Sequence, residues 1–481
     1  MKLLLASSEL HPFSKSGGLA DMVGALAKTL AAQGHQVGVV TPLYRGIWEK
    51  FPGLQHFDWQ LHLPLGTEYF YGGVYTLEPA PNLTIYFIDQ PHFYDRDGLY
   101  TGAWPYEENA ARFIFFSKAV TNLARYLPWK PQLVHVHDWQ VGLVPLMIRD
   151  QAERDGWQNA PGTCLTIHNL AYQGNFNGPS YGLTNLPLTY FHGQGAEAWG
   201  QLNCLKAAIE FSDMLTTVSP RYAREITTEL YGCGLDGVLR RRQHVLTGIL
   251  NGVDYDEWNT YDNGHLLHRY SIEELRGKEQ NKAALQQEMG LPIEPQVPLF
   301  ASVTRLADQK GVDIQLAALQ EMLAAKMQFA LLGSGDPAFE NAYRDLARRY
   351  PKQVAVRLGF NQGLSHRIEA GADFFLMPSR FEPCGLNQMY SQRYATIPIV
   401  RRTGGLDDSV TDLTDNDERA DGIKFSEYSA RALAKAIRKA LVLYENPELL
   451  AQYRQNAMRA DFSWERTAGE YVRVFERALT R

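Results

Sequence analysis

Cysteine is scarce: the 481-residue chain has four, Cys164, Cys204, Cys233 and Cys384, and none forms a C-x-x-C pair. That excludes a disulfide-built scaffold and fits a reducing compartment, so a cytoplasmic location is expected. A basic excess is missing too. Lys and Arg total 47 against 53 Asp and Glu, a formal charge of −6, which excludes a charge-driven nucleic-acid role because nothing is left over to neutralise phosphates. No apolar run approaches a membrane span. The start, Lys2 followed by Leu3, Leu4, Leu5 and Ala6, imitates an export signal, but Ser7, Ser8 and Glu9 end it before an apolar h-region is complete.

Glycine is plentiful, with 40 residues, many of them where an apolar run hands over to a helical pattern. Hydrophobic residues make up 45% and charged residues 21%, ordinary for a globular protein. The length exceeds what one core serves, so two domains are expected. Leu3–Ala6 reads as a strand, followed after the glycines by Leu19, Met22, Val23, Leu26 and Leu30 at helical spacing, then Gly34 as a stop and Val37–Val40 as the next strand. Further strands are expected at 133–136 and 164–167, alternating with helices around 110–123 and 202–211. The pattern restarts with strands at 299–303, 329–332, 354–358, 374–377 and 397–400. Apolar strands separated by helices predict two α/β domains with doubly wound parallel sheets. Residues 248–263 follow neither period and read as the linker, and a last helix spans 464–479. Ligands of open α/β sheets bind at the carboxyl ends of the strands, so two such domains facing each other would make a cleft lined by those ends.

Several polar clusters fall at strand ends. Lys15-Ser16-Gly17-Gly18-Leu19 lies between the first strand and helix, where paired glycines admit a ligand and a helix N-terminus favours an anion, although a tight turn would look the same. Arg305 follows a strand and Lys310 comes five residues later, a spacing that suits a diphosphate clamp or a solvated loop. In Pro378-Ser379-Arg380-Phe381-Glu382-Pro383-Cys384-Gly385-Leu386, a carboxylate sits in a stiff, apolar loop, well placed to face positive charge developing on a sugar ring; the ordinary alternative is a helix cap. Thr403-Gly404-Gly405 offers backbone N–H groups to a phosphate. His137-Asp138-Trp139 and His168-Asn169 both end first-half strands.

Other signals carry less. Gly333-Ser334-Gly335-Asp336-Pro337-Ala338 imitates a dinucleotide fingerprint, but no acid stands near Arg357–Phe360 where that motif needs one. The D-x-D triplets at Asp95/Asp97, Asp254/Asp256 and Asp415/Asp417 follow no clear strand. His135 and His137 share a strand face without a third ligand at metal spacing, so no metal is expected.

The motifs together resemble the ADP-glucose-dependent glycogen and starch synthases. The K-x-G-G-L-x-D signature stands at Lys15–Asp21, and the similarity continues through His137-Asp138-Trp139, Thr166–Gly174, Thr217–Pro220, Leu250–Asp254, Arg305-Leu306 with Gln309–Gly311, Ser379–Leu386, Arg401–Leu406 and Asp461–Trp464. It spans nearly the whole chain in the family's order. The resemblance implies a GT-B architecture of two Rossmann-like domains facing a deep cleft. Residues 1–249 form the acceptor side, 250–458 the donor side, and 459–481 a helix crossing back. It implies retaining transfer of glucose from ADP-glucose to the non-reducing end of an α-1,4-glucan. No cofactor and no metal are expected, because Arg305 and Lys310 supply the charge a metal would otherwise provide. In that picture Arg305 and Lys310 hold the diphosphate with Lys15 nearby, assisted by backbone at Gly18, Gly385, Leu386, Thr403, Gly404 and Gly405. Glu382 and His168 flank the transferred glucose, Asp138, Trp139, Asn251 and Cys384 help position it, and Glu9 and Asp21 fall on the acceptor side. One departure is Gly359-Phe360-Asn361-Gln362, where relatives often carry Tyr and, two positions on, a carboxylate. If Phe360 stacks on the base, stacking survives but a phenolic hydrogen bond is lost. A same-face displacement is expected, since the motifs supply cations for the leaving group and no activated nucleophile. Catalysis is expected to need domain closure. The alternatives are a UDP-glucose enzyme, a different acceptor, or a non-catalytic glucan or nucleotide-sugar binder.

Overall fold

The computed structural model describes residues 1–101 and 106–480, which form two compact units. The first comprises Met1–Val218, Ala223–Ile249 and Trp464–Arg481; the second comprises Ser219–Tyr222 and Leu250–Ser463.

In chain order the strands of the first unit are β1 (Lys2–Ala6), β2 (Gln36–Pro42), β3 (Gln55–Leu65), β4 (Glu68–Ala80), β5 (Leu83–Asp89), β6 (Leu133–His137), β7 (Gly162–Ile167), β8 (Asn175–Phe176), β9 (Glu197–Ala198), β10 (Gln201–Asn203), β11 (Met214–Thr217) and β12 (Leu246–Gly248). Nine of them make one sheet in the order β12-β11-β7-β6-β1-β2-β5-β4-β3, while β8, β10 and β9 make a small separate one. From β12 to β5 all pairings are parallel; β4 and β3 add an antiparallel hairpin at the edge. Leu3, Leu4, Leu5, Val134, Val136, Leu165 and Ile167 are fully buried, as expected of strands covered on both faces. The hairpin reads differently because its outward residues, such as Tyr69 and Tyr71, are exposed aromatics. No strand was expected there, since bulges at Phe57/Gln60 and Leu77/Ala80 interrupt the alternation.

The second unit has β13 (Leu299–Leu306), β14 (Gln328–Gly335), β15 (Val354–Leu358), β16 (Phe374–Met377), β17 (Ile397–Arg401) and β18 (Ile423–Phe425), all parallel, in the order β15-β14-β13-β16-β17-β18. Alternation sorts its core onto two faces. Phe300, Phe329 and Leu331 join one cluster with Ile437 and Leu433, and Leu299, Ala301, Ala330 and Leu332 join the other with Leu285 and Ile368. The strands β13 and β14 run further than their apolar stretches, so Arg305 lies on β13 itself, paired with Ser334, rather than after it. A Cβ at Gly333 or Gly335 would overlap the carbonyls of Thr304 or Leu306. Those glycines serve close strand approach, which is why the fingerprint-like run makes no phosphate turn.

The expected linker is largely part of the second unit. The chain changes unit between Ile249 and Leu250. Past that point Trp258 stacks between Tyr390 (3.7 Å) and His366 (4.0 Å), and Asn263 Nδ2 donates to the Tyr394 hydroxyl at 2.8 Å. Tertiary packing of one Trp and several Asn side chains fixes a stretch that has no periodicity. The last helix, Trp464–Leu479, packs on the helix Gly18–Ala32 and on β6, β7 and β11. Its buried Tyr471 and Phe475 lie against His135.

Candidate active site

In the first unit the loop after β1 is built around one buried carboxylate. Glu9 accepts from Ser16 N–H and Ser16 Oγ, both at 2.6 Å, from Gly17 N–H at 3.2 Å and from the Tyr100 hydroxyl at 2.7 Å. It is 3% exposed. Glu9 therefore holds the Lys15–Gly18 loop from beneath rather than presenting a carboxylate to an acceptor. It also takes up N–H groups just ahead of the helix, leaving that of Gly18. Lys15 Nζ pairs with Asp21 at 2.8 Å, both half-exposed.

At the next strand ends, β6 and β7 run side by side with His137 opposite Thr166, which brings His137, Asp138 and His168 together. Asp138 has φ +60°, a conformation uncommon outside glycine and a local cost in backbone energy. Its N–H donates to Thr166 O at 3.0 Å, and its Oδ1 accepts from His168 N–H at 2.8 Å. Asp138 is thus a brace under His168. Burial pushes its carboxyl up to about 7. His168 Nε2 lies 3.1 Å from His137 Nδ1, and burial lowers the His168 imidazole to about 3, so the ring is neutral at physiological pH. Trp139 packs edge-on against Phe113 and Phe176, over Gly174, where a Cβ would strike its ring.

In the second unit the 378–386 loop is knitted to the segment after β13. Lys310 Nζ meets Glu382 Oε2 at 2.6 Å, Ser379 Oγ donates to the same oxygen at 3.1 Å, and Arg380 N–H donates to Gln309 O at 2.8 Å. Glu382 is 6% exposed. It caps no helix, because the following one begins at Asn387. A buried carboxylate held by a cation and a hydroxyl is a fixed charge, the preorganised kind that stabilises developing charge. Arg305 is exposed and makes no ion pair among the described residues, which leaves its guanidinium free for an anion. Gly385, at φ +72°, and Leu386 are half-buried, and their N–H groups make no hydrogen bond among the described residues. Gly405 N–H instead donates to the Glu382 and Pro383 carbonyls at 3.2 and 3.0 Å, and a Cβ at Gly404 would overlap Glu382 O. These two glycines let the turn pack on the Glu382 loop, and the Gly405 N–H is not on offer to a phosphate. Thr403 is buried beside them. Buried Asn251 has no partner for Oδ1 among the described residues, and its backbone N–H bonds to Cys384, whose thiol burial pushes up to about 12. Phe360 is 89% exposed at the end of β15, a ring open to stacking.

Three participants carried no assigned role in the motifs. Ser219 Oγ donates to Pro383 O at 2.7 Å, Ser379 holds Glu382, and Tyr100 reaches Glu9 from ninety-one positions away. The two serines lie inside recognised motifs; Tyr100 had no local signal. The D-x-D triplets have structural jobs: Asp95 and Asp97 pair with Arg45, Asp254 Oδ1 accepts Asp256 N–H, and Asp415 pairs with Arg402 and Lys424.

Residues 2–241 match the family model of the starch synthase catalytic domain, and residues 287–460 match that of the glycosyl transferases group 1. Among curated relatives, the glycogen synthase of Anaeromyxobacter sp. (strain Fw109-5) is 47% identical over 480 residues, 99% of each chain. That of Koribacter versatilis is 43% identical over 479 residues, 99% of this chain and 98% of the relative. The chain belongs to the glycogen synthase family. The Arabidopsis thaliana starch synthase IV catalytic domain, solved with ADP and acarbose, superposes with TM-score 0.89 at 31% identity, covering 100% of this chain and 99% of the other. A sucrose-phosphate synthase from Thermosynechococcus elongatus, at 18% identity and TM-score 0.59, shares the fold alone. As in the rest of the glycogen synthase family, the chain is a glycosyltransferase of the GT-B class that takes a nucleotide-sugar donor and a glucan acceptor. Among the described residues no helix is long and apolar enough to cross a membrane.

Proposed function

We propose that the chain extends an α-1,4-glucan by transferring glucose from ADP-glucose to its non-reducing end with retention of configuration. The observation that carries this is the Lys310–Glu382 pair at 2.6 Å, with Glu382 buried, in the same unit as an exposed Arg305 that makes no ion pair among the described residues. Arg305, Lys310 and the free N–H groups of Gly385 and Leu386 suit a departing diphosphate. Glu382 suits the positive charge that develops on the glucose ring as the bond to that diphosphate lengthens. His168 and Asn251 contact the sugar, Phe360 stacks on the base, and Asp21 lies on the acceptor side. Supporting ADP is the Arabidopsis starch synthase solved with ADP. The cations supply the charge a divalent metal would otherwise bring, so transfer needs none. Same-face displacement follows, with the diphosphate oxygen taking the acceptor proton while Lys310 and Arg305 hold it.

The test is glucose incorporation into glycogen from ADP-glucose and from UDP-glucose at matched concentrations, with and without EDTA. Higher kcat/KM with ADP-glucose, unchanged by chelation, is expected. Equal or better use of UDP-glucose would overturn the donor assignment, and loss of activity on chelation, restored by Mg²⁺ or Mn²⁺, would overturn the metal-free step.

A further inference from the structure

Beneath His168 the first unit buries two more imidazoles in a column. His137 and His135 are both 0% exposed, with ring centroids 4.1 Å apart, and His135 rests on Tyr471 and Phe475 of the last helix. Among the described residues no carboxylate bonds to these rings. At its foot Thr216 Oγ1 has Leu165 O at 3.1 Å and Thr166 Oγ1 at 2.6 Å, and Thr166 Oγ1 has His135 Nε2 at 2.7 Å. The order in which Thr216 donates to Leu165 O, Thr166 to Thr216 and His135 Nε2–H to Thr166 is the one that leaves no imidazole N–H orphaned. His135 Nδ1, buried without a partner, is then a bare lone pair.

His137 poses the same choice. Its Nδ1 faces His168 Nε2 at 3.1 Å, and its Nε2 is buried without a partner. One proton lies between the two facing nitrogens. If His137 carried its proton on Nε2, that N–H would be orphaned in the core, which native structures avoid more strictly than an unfilled lone pair. With the proton on Nδ1, His137 donates to His168 Nε2, and only a lone pair goes unfilled, as in His135. A neutral His168 that accepts at Nε2 carries its own proton on Nδ1, the nitrogen that makes no hydrogen bond among the described residues.

We infer that His137 is a positioning residue: it fixes His168 as the Nδ1–H tautomer, so that His168 meets the donor sugar as a neutral hydrogen-bond donor to a hydroxyl and not as an acid or base. This rests on the proposal that His168 faces the transferred sugar. Burial supports the neutral state, lowering His135 and His168 to about 3 and His137 well below its usual value. The Asp138 bond to the His168 N–H fixes the backbone from which that ring projects toward His137.

The experiment is nitrogen NMR of the full chain labelled with ¹⁵N-histidine, in which two-bond proton–nitrogen patterns distinguish the tautomers. The His168 signals are assigned by their loss in His168→Gln. A protonated Nδ1 with a bare Nε2 at pH 7 is expected for His168; a protonated Nε2, or both nitrogens protonated, would overturn the inference. Activity adds a second arm. His137→Leu, which removes the donor, should lower kcat about tenfold with donor KM unchanged, and His137→Asn, which returns an N–H near the Nδ1 position, should recover most of that loss. Equal losses in both variants with unchanged thermal unfolding would also overturn it. Wild-type kcat in His168→Gln would instead sink the sugar-facing assignment while leaving the tautomer result standing.

Discussion

The two units place their functional groups in opposite electrostatic settings. The first gathers imidazoles and backbone dipoles: His135, His137 and His168 are neutral, and the only strand-end carboxyl among them, Asp138, is pushed toward its neutral form. The second gathers full charges. Lys310 sits on Glu382, and nearby Asp407 is shared by Arg221, Arg402 and Lys424. Neutral donors discriminate hydroxyls, whereas fixed ions stabilise a diphosphate and a cationic ring. The same parallel-sheet plan, with polar groups at strand ends, carries neutral groups in one unit and fixed ions in the other.

If that contrast is sound, deleting a charge costs more than deleting a neutral donor. Arg305→Ala should lower kcat/KM for the donor by about 10³-fold, measured by initial rates of glucose incorporation. His168→Ala, which loses one neutral hydrogen bond, should cost only about tenfold; a loss as large as that of Arg305→Ala would erase the distinction.

Acid should also separate the units. A buried histidine whose pKa is lowered by folding binds fewer protons in the native state, so its contribution is whole above about pH 6.5 and is lost as pH falls toward its folded value. Each such group costs about 1.4 kcal/mol per pH unit in that window. The large shifts in the first unit that bear on this window are three lowered imidazoles and Lys118, lowered to about 7, against one raised carboxyl, Asp138. In the second unit lowered His366, at about 4, is offset by Asp421, raised to about 7, because a raised carboxyl acts with the opposite sign. Hydrogen exchange between pH 7 and pH 5 should therefore show protection falling in the first unit before the second. Equal losses would contradict the contrast. The smallest effect is expected at Ser219→Ala, which removes one buried hydrogen bond to Pro383 O and should cost about 1 kcal/mol in unfolding with little change in donor KM.

Much of this was legible in the sequence. Parallel core strands announce themselves as short apolar runs, and the motifs at their ends identified the family. The β3–β4 hairpin was not legible because its bulges break the alternation and its outer face is aromatic. The packed stretch after Leu250 was hidden because stacking of Trp258 on Tyr390 links positions far apart in sequence. Within the site, residue types were clear but partners were not. Glu9 looked like a free carboxylate until its four donors were placed, and Gly404 and Gly405 looked like a phosphate turn until the Glu382 loop was seen packed on them. A composition can name the groups; only the fold says which are already satisfied.

The claim that Glu382 acts through its charge on the transferring sugar is tested most directly by Glu382→Gln, with kcat from glucose incorporation and ADP affinity by calorimetry on the same preparation. Gln keeps the shape and can still bond to Ser379, so ADP should bind within about twofold of wild type while kcat falls by at least about 10²-fold. A near-wild-type kcat, or a loss of ADP affinity as large as the loss of rate, would contradict it.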